Sequence, residues 1–258
     1  VYSRWELCIV DDASNDAELR RTLEEYAAKD SRIKLSFRSE NGHISKASND
    51  ALRMATGDFV VLLDHDDEIT PDALAVVAHA VAKNPEADFF YSDEDKLTSY
   101  GMRYNPHFKS DWNPYLFLSQ NYICHLAVYR RSVVQAIGGF RDASVDGAQD
   151  WDLALRVAEH VPATHIVHIP HVLYHWRVIQ GSTAHSTAAK PYVLEAQRTA
   201  FADHFARTGV RAEVSILQTI SHVRPHFKVP CTAEGKKPLV SIIIPTRNQL
   251  HHLRRCVE

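Results

Sequence analysis

The sequence of 258 residues has little cysteine, and its four cysteines form no Cys-x-x-Cys pair. This spacing indicates neither a zinc site nor a redox motif. Cys8 lies in an apolar run and is predicted to be a small core residue. A reducing compartment is the simplest expectation for such a chain.

Long apolar runs and a strong net charge are also missing. No run of 18 apolar residues is present, so we expect no transmembrane helix, and no signal peptide is recognisable. The net charge is −3, from 29 basic and 32 acidic residues, which argues against nucleic acid as an obligate partner. With 45% apolar residues, the chain is expected to be globular with a sizeable core.

The first 95 residues alternate predicted strands and helices. Further along, helices are predicted at 149–159 and 191–207 and strands at 126–130 and 164–169. The first-half strands are predicted at 5–10, 33–37, 58–63 and 88–91. Strands that are apolar on both faces indicate a parallel sheet between helices. The prediction is an α/β fold with a mostly parallel sheet, whose ligands bind at the carboxyl ends of the strands.

Two acidic clusters directly follow predicted strands. Asp64 and Asp66 are two residues apart, so both could reach one hard divalent cation, Mg²⁺ or Mn²⁺, together with substrate phosphates. Such a cation neutralises charge on a leaving diphosphate. The alternative is an acidic helix N-terminus, which Asp67 fits well. Asp11 and Asp12 could hold a nucleobase or ribose, or could form a turn or helix cap.

Four further residues are candidates for chemistry. Asp150 could be a general base that takes a proton from a hydroxyl nucleophile, or a helix-capping acid. His175 could be a third metal ligand, or a buried histidine beside aromatic residues. Arg177 could clamp a phosphate. Asp93, in an acidic segment predicted to be a loop, could face an acceptor or be solvated.

Taken in order, these motifs resemble glycosyltransferase family 2, the inverting enzymes with the GT-A fold. The resemblance covers roughly residues 1–220, and Gln149 departs from it because the family often has Glu there. The matching stretches are Ile9–Ser14, Gly42–Ser45 with Asn49, Leu63–Asp67, Gly138–Phe140, Gln149–Asp152 and His175–Arg177. Tyr91–Lys96 and Ser119–Tyr122 resemble large bacterial members that build surface polysaccharides.

The resemblance implies roles for the candidate residues. Asp12, with Asp11, would read the nucleobase, and Asp64 would lie on the ribose or metal side. Asp66 would bind the metal, His175 would contact metal or diphosphate, and Asp150 would be the catalytic general base. The contacts to acceptor or diphosphate would come from Asp93, Trp151 and Arg177. It also implies an Mn²⁺ or Mg²⁺ cofactor, a UDP- or dTDP-sugar donor and a glycan or glycolipid acceptor. The implied location is cytoplasmic, either free or peripheral at the inner face of the plasma membrane.

The resemblance departs from the family at the first strand. The family opens with a strand like Val-Ser-Ile-Ile-Ile-Pro-Thr-x-Asn, which here occurs only at Val240–Asn248. The chain resembles part of a tandem transferase, with a GT-A domain at 1–220 that lacks its first strand, a linker at 221–238 and the opening of a second transferase domain at 239–258.

We expect Val240–Pro245 to complete the sheet of the first domain, in the same chain or in a strand-swapped dimer, because unfilled strand edges are unfavourable. Thr246 would then lie near the nucleotide. Three alternatives stay open. The terminal segment could be a disordered tail. The chain could be a catalytically incomplete carbohydrate- or nucleotide-binding domain. A nucleotidyltransferase would need a basic or Gly-rich phosphate loop near the first strand, which the sequence lacks.

Overall fold

A computed structural model describes residues 2–178, 191–217, 222–227 and 239–258. The chain divides into two compact units, Val1–Phe227 and Lys228–Glu258. The first unit includes a strand at His222–Phe227, inside the segment predicted to be a linker. The rest of the predicted linker lies outside the described residues.

Strands and helices alternate along the described chain, as the periodicity predicts. The strands are β1 Leu7–Asp11, β2 Ile33–Phe37, β3 Phe59–Val61, β4 Glu68–Ile69, β5 Phe89–Leu97, β6 Arg103–His107, β7 Ala127–Arg130, β8 Ile166–Arg177, β9 Ala212–Leu217 and β10 His222–Phe227. The helices are α1 Ala17–Lys29, α2 His43–Met54, α3 Ala73–Lys83, α4 Pro114–Phe117, α5 Arg131–Ala136, α6 Gln149–His160, α7 Pro191–Thr208 and α8 Leu250–Val257.

The main sheet is mixed rather than mostly parallel. Its order is β3-β7-β5-β8-β4, with β6 also paired to β5. β5 and β8 are parallel, whereas β7 runs antiparallel to both β3 and β5. β1 and β2 form a separate parallel pair. Apolar runs predict strands that are buried on both faces, but they carry no information about the direction of a neighbour such as β7.

Strand β5 separates two apolar clusters, since successive side chains of a strand point to opposite faces. Phe89 and Tyr91 pack with α6 and α7 residues such as Trp151 and Phe201. Phe90 packs on the other face, with Val77 of α3. Each fully buried aromatic or aliphatic side chain contributes about 1.5–3 kcal/mol. This burial makes β5 the rigid centre of the domain.

The acidic run predicted to be a loop lies inside β5. Asp93, Glu94 and Asp95 are each at most 5% exposed. A buried carboxylate needs hydrogen-bond or charged partners, and each of the three has them. Lys109 is bound through its backbone N–H to Asp93 and through its ammonium to Glu94, and Arg103 pairs with Asp95. Partners distant in sequence therefore allow the strand to continue.

Several described strands, β1 and β3 among them, have one edge without a ladder. β1 pairs only with β2, and β3 pairs only with β7. Residues 239–249 form no strand, although the sequence predicts one there. Within that segment Ile242 and Ile243 are 83% and 88% exposed. An extended apolar segment becomes a strand only beside another strand, so completion of the sheet stays a prediction.

Candidate active site

A cavity of about 1630 Å³ opens beside β1 and β3. Apolar side chains of β1, α2, β3 and α3 line part of it, and polar groups line it as well: Asp64, Glu94, His125, Asp150 and Trp176. Single-ligand sites commonly enclose about 300–1,000 Å³. The cavity therefore has more room than one small ligand requires.

Two side chains of this cavity, Asp64 and His125, form a group with Asp67 that can hold a metal ion. Asp64, Asp67 and His125 each offer one ligand atom, and these atoms lie within 4.8 Å of one another. His125 Nε2 is 3.7 Å from Asp64 Oδ2, which is too long for a hydrogen bond. Ligand atoms on one octahedral ion with bonds near 2.1 Å lie about 3–4 Å apart. The spacing therefore suits a shared cation.

Tyr174 connects the two acids of this group. Its buried hydroxyl accepts a hydrogen bond from the Asp64 N–H at 3.2 Å and donates one to Asp67 Oδ2 at 2.5 Å. Its ring stacks on His125 with centroids 4.4 Å apart. One side chain of β8 thus positions all three members of the group.

The two carboxylates have raised pKa values. The protein around Asp64 raises its pKa by desolvation, although half of the side chain (51%) still reaches solvent in the cavity. The charge of His125 opposes the shift, and the charges of Asp67 and Asp150 add to it. Burial also raises the pKa of Asp67, against its hydrogen bond from Tyr174. Crowded acids of this kind are stabilised by a cation.

The donor set fits a divalent cation. His125 is 8% exposed, and its Nδ1 has no hydrogen-bond partner in the described part of the chain. The nitrogen beside Asp64 is the other one, Nε2, which is therefore the atom placed to bind an ion shared with that acid. Carboxylates suit Mg²⁺ and Mn²⁺, whereas imidazole is more typical of transition metals. The mixture favours Mn²⁺ over Mg²⁺.

Asp150 faces the same cavity from the first turn of α6. Asn121 Nδ2 donates to Asp150 Oδ2 at 2.7 Å, and Asn121 Oδ1 accepts from the Cys124 N–H at 3.3 Å. The loop at 121–125 therefore carries both His125 and the partner of Asp150. Because only one oxygen of Asp150 is engaged by Asn121, the other is available to accept a proton.

The structure does not bring Asp66 or His175 into the metal-ligand group. The acid beside Asp64 in that group is Asp67, which the sequence assigned to a helix start. His175 lies one residue from Tyr174 on β8, so its side chain points to the other face of the sheet. There its Nδ1 is 2.6 Å from Asp95 Oδ1. The metal roles predicted for Asp66 and His175 have no support in this geometry.

The three residues predicted at the acceptor or diphosphate are held by protein contacts. Asp93 is buried and bound to His168 at 2.8 Å. Trp151 is 6% exposed, and its indole N–H donates to the Phe117 carbonyl at 3.1 Å. Arg177 donates from Nε to the Asp66 carbonyl at 2.7 Å, and its guanidinium also pairs with Glu68. These contacts hold Asp93 and Trp151 in place and fix the loop that carries Asp66; Trp151 also lines the cavity, so its contact with acceptor or diphosphate stays a prediction.

The predicted nucleotide-binding acids of the first strand form turn contacts. Asp11 Oδ2 accepts from the Ser14 N–H at 3.0 Å. Asp12 Oδ1 accepts from the Gly42 N–H at 2.8 Å and pairs with Arg38 at 2.9 Å. These contacts agree with the turn predicted as the alternative, and they leave one oxygen of each carboxylate for a ligand.

The motifs do not predict several residues of the candidate site. His125 and Asn121 lie in an irregular loop without periodicity, and Asp67 was attributed to a cap. A weak signal existed, because Ser119–Tyr122 was among the stretches resembling bacterial transferases. Thr246, in the second unit, is placed in a segment without regular structure.

Comparison with known proteins assigns the family. The family model described as "Glycosyl transferase family 2" matches residues 1–138, which is more than half of the chain. The chain belongs to glycosyl transferase family 2. This confirms the resemblance stated from the motifs, and the match covers Asp64, Asp67, Asn121 and His125.

Two relatives align along practically the whole chain. "Uncharacterized protein y4gI" of Sinorhizobium fredii is 46% identical over 257 residues, and "O-antigen biosynthesis protein RfbC" of Myxococcus xanthus is 38% identical over 258 residues. The alignments cover 100% of this chain but only 28% and 20% of the relatives. The chain thus spans less than a third of either relative.

Solved structures confirm the GT-A fold. S. aureus TarS 1–349 in complex with UDP-GlcNAc superposes with a TM-score of 0.58 at 19% identity, covering 77% of this chain and 57% of TarS. Mannosyltransferase PcManGT from Pyrobaculum calidifontis, in complex with GDP-Man and Mn²⁺, gives a TM-score of 0.54 at 21% identity, covering 79% and 54%. None of the helices in the described residues is long and apolar enough to cross a membrane.

Proposed function

We propose that this chain is an inverting glycosyltransferase that moves a sugar from a nucleotide-diphospho-sugar to a hydroxyl of an acceptor glycan. The observation that carries the proposal is a shared cavity: Asp150 lines it together with Asp64 and His125, two of the three residues that can hold a metal ion. A base and a cation site around one space are what a displacement with a diphosphate leaving group requires.

Asp150 is the proposed general base. Asn121 holds one carboxylate oxygen at 2.7 Å, so the other can accept the proton of the acceptor hydroxyl as it attacks the anomeric carbon. A single displacement without a covalent intermediate inverts the anomeric configuration. Asp64, Asp67 and His125 are proposed to hold Mn²⁺. When bound, that ion would neutralise the charge on the departing diphosphate.

The biological setting is proposed from the relatives. RfbC is named for O-antigen biosynthesis, and a further relative at 29% identity is the putative colanic acid glycosyl transferase WcaA of Escherichia coli. These names support a role in bacterial surface polysaccharide synthesis. We propose a UDP- or dTDP-sugar donor, a glycan or glycolipid acceptor and a cytoplasmic site of action at the inner face of the plasma membrane. Cys8, Cys124 and Cys256 are free thiols, which suits that location.

Donor binding and transfer test the function separately. We expect UDP- and dTDP-sugars to raise the melting temperature only with Mn²⁺, because ligands of the folded state stabilise it. Sugar transfer to a glycan panel, with release of UDP or dTDP, should follow, and NMR of the product should show an inverted anomeric configuration. Retention of configuration would contradict the mechanism. Donor binding without transfer would identify a binding domain instead.

The base is tested with Asp150→Asn. Loss of a general base lowers turnover by about 10²–10⁴-fold, while the Mn²⁺-dependent donor stabilisation should persist. Asp142→Asn is a matched control, since that exposed acid of the preceding loop does not line the cavity. Unchanged turnover in Asp150→Asn would remove the assignment.

We also propose that Val240–Pro245 completes the sheet between β1 and β3, within one chain or by exchange between two chains, with Thr246 reaching the nucleotide. The free edges of β1 and β3 and the exposure of Ile242 and Ile243 support this. Ile243→Asp should lower stability and abolish any dimer, whereas Arg254→Asp in α8 should not. Light scattering across a concentration series separates exchange from completion within one chain. An unchanged melting temperature and mass in Ile243→Asp would refute both forms.

A further inference from the structure

The loop that carries His125 is anchored by a buried ion pair with no part in the chemistry described above. Lys109 has a fully buried side chain, and Glu94 is 5% exposed at its side chain. The Lys109 ammonium donates to Glu94 Oε2 at 3.1 Å and to the Ile123 carbonyl at 2.6 Å, and it also donates to the His125 carbonyl. An ammonium has three N–H groups, so every donor of Lys109 is used.

Glu94, the second member of the ion pair, also binds the backbone of His125. Its Oε2 also accepts the His125 backbone N–H at 3.1 Å. The ion pair thus binds both the N–H and the carbonyl of His125, together with the carbonyl two residues before it. A backbone held at these points cannot rotate without breaking a buried charged hydrogen bond, which is the stronger kind.

We propose that Lys109, paired with Glu94, is a positioning residue that fixes His125 for cation binding. The inference rests on the proposed function for the identity of the cation, but the positioning itself is a property of the metal-free fold. Neither residue belongs to the ligand group of Asp64, Asp67 and His125.

The geometry of the His125 ring depends on this attachment. The ring lies flat on Tyr174, with an interplanar angle of 10°, and meets the edge of Trp176 at 5.5 Å. Its Nδ1 has no hydrogen-bond partner among the described residues, so no side-chain hydrogen bond there holds the ring. The orientation of the imidazole therefore follows from its backbone and from stacking, and the ion pair sets the backbone.

The electrostatics of the pair agree with a fixed, charged anchor. Burial alone would raise the pKa of Glu94, but the contact with His107 and the charges of Lys109 and His125 lower it to about 2. Burial lowers the pKa of Lys109, against the opposing charge of Glu94. Groups that orient metal ligands commonly change metal affinity by about 10–100-fold when removed.

The test uses Lys109→Met with two readouts. The first is the NMR signal of the His125 ring protons in metal-free protein, which is assigned by its loss in His125→Asn. Stacking of the ring on Tyr174 shifts this signal upfield. The second is the Mn²⁺ dissociation constant from calorimetry. We expect Lys109→Met to lose the upfield shift and to bind Mn²⁺ at least about tenfold more weakly.

Arg156→Met is the matched control. Arg156 is another buried cation that binds one carboxylate and two carbonyls, those of Asp152, Ile137 and Gly139, away from the 121–125 loop. It should lose stability as Lys109→Met does, yet keep the His125 signal and the Mn²⁺ affinity. If Lys109→Met does not fold, Lys109→Met with Glu94→Leu removes both charges and restores an apolar interior.

The outcomes separate this inference from the proposed function. An unchanged His125 signal and Mn²⁺ affinity in the Lys109 variant overturns the inference even if the protein transfers sugar. If Lys109→Met loses the upfield shift but the unmodified protein binds no Mn²⁺, the positioning role is kept and the cation part of both proposals is overturned. Equal losses in Arg156→Met would reduce Lys109 to a general stability role.

Discussion

Replacing Glu94 with glutamine should weaken the fold in a pH-dependent way. The folded protein lowers the pKa of Glu94 from its ordinary value of 4.5 to about 2. At about 1.36 kcal/mol for each tenfold change in proton affinity, this corresponds to roughly 3 kcal/mol of stability at neutral pH. The side chain is 5% exposed, so solvent screens little of it.

The sign follows from the direction of the shift. A depressed pKa means that the unfolded chain takes up the proton first, so the contribution is complete above pH 5 and is lost as pH falls toward 2. The amide introduced by Glu94→Gln would keep one oxygen to accept from Lys109 and His125, which both bind the same oxygen of Glu94. The substitution therefore removes mainly the charge.

Urea unfolding of both proteins between pH 7 and pH 3.5 measures the effect. We expect Glu94→Gln to be less stable by about 3 kcal/mol at pH 7 and by about 2 kcal/mol at pH 3.5. The control is Glu24→Gln, which removes an exposed pair with Arg20 and should cost less than about 0.5 kcal/mol. A gap that stays constant over this pH range would show that the charge of Glu94 is not its cause.

Further predictions concern the cavity and its surroundings. Asp64→Asn should raise the metal-free melting temperature at pH 7, because an ionised carboxylate with a raised pKa destabilises the fold, and this gain should shrink as pH falls through that pKa; calorimetric scans at several pH values check it. Trp151→Phe should cost about 1–3 kcal/mol in urea unfolding, because it removes a buried hydrogen bond and part of a packed ring. His175→Asn should lower stability but leave the Mn²⁺ dissociation constant unchanged in titrations, since His175 contacts Asp95. Asn121→Ala should lower kcat more than it changes donor KM, because it releases Asp150.

Local periodicity accounts for the elements that the sequence predicted well. The strand at 33–37 matches β2, and the helices at 149–159 and 191–207 match α6 and α7 to within one residue at each end. These segments have apolar patterns or caps that depend only on neighbouring residues. The acidic run at 92–96 was mistaken for a loop because its partners, Lys109, Arg103 and His168, are distant in sequence.

The site was predicted in part for the same reason. Asp64, at the end of a predicted strand, and Asp150, at a predicted helix start, do line one cavity. The third member of the metal group could not be predicted, because His125 reaches Asp64 only through the packing of an irregular loop on Tyr174. Side chains alternate between the two faces along β8, and this places Tyr174 rather than His175 at the site. The sequence could not predict this placement, because it required the true length of that strand.

Tyr174 also determines when the site can form during protein synthesis. The acids that it connects, Asp64 and Asp67, precede it by 110 and 107 residues. A ribosome adding about 5–20 residues per second needs roughly 5–20 s to cover that distance. Until then the crowded carboxylates have no tyrosine between them, and β5 lacks its parallel partner strand β8. The nascent chain therefore cannot form this pocket from its first half alone.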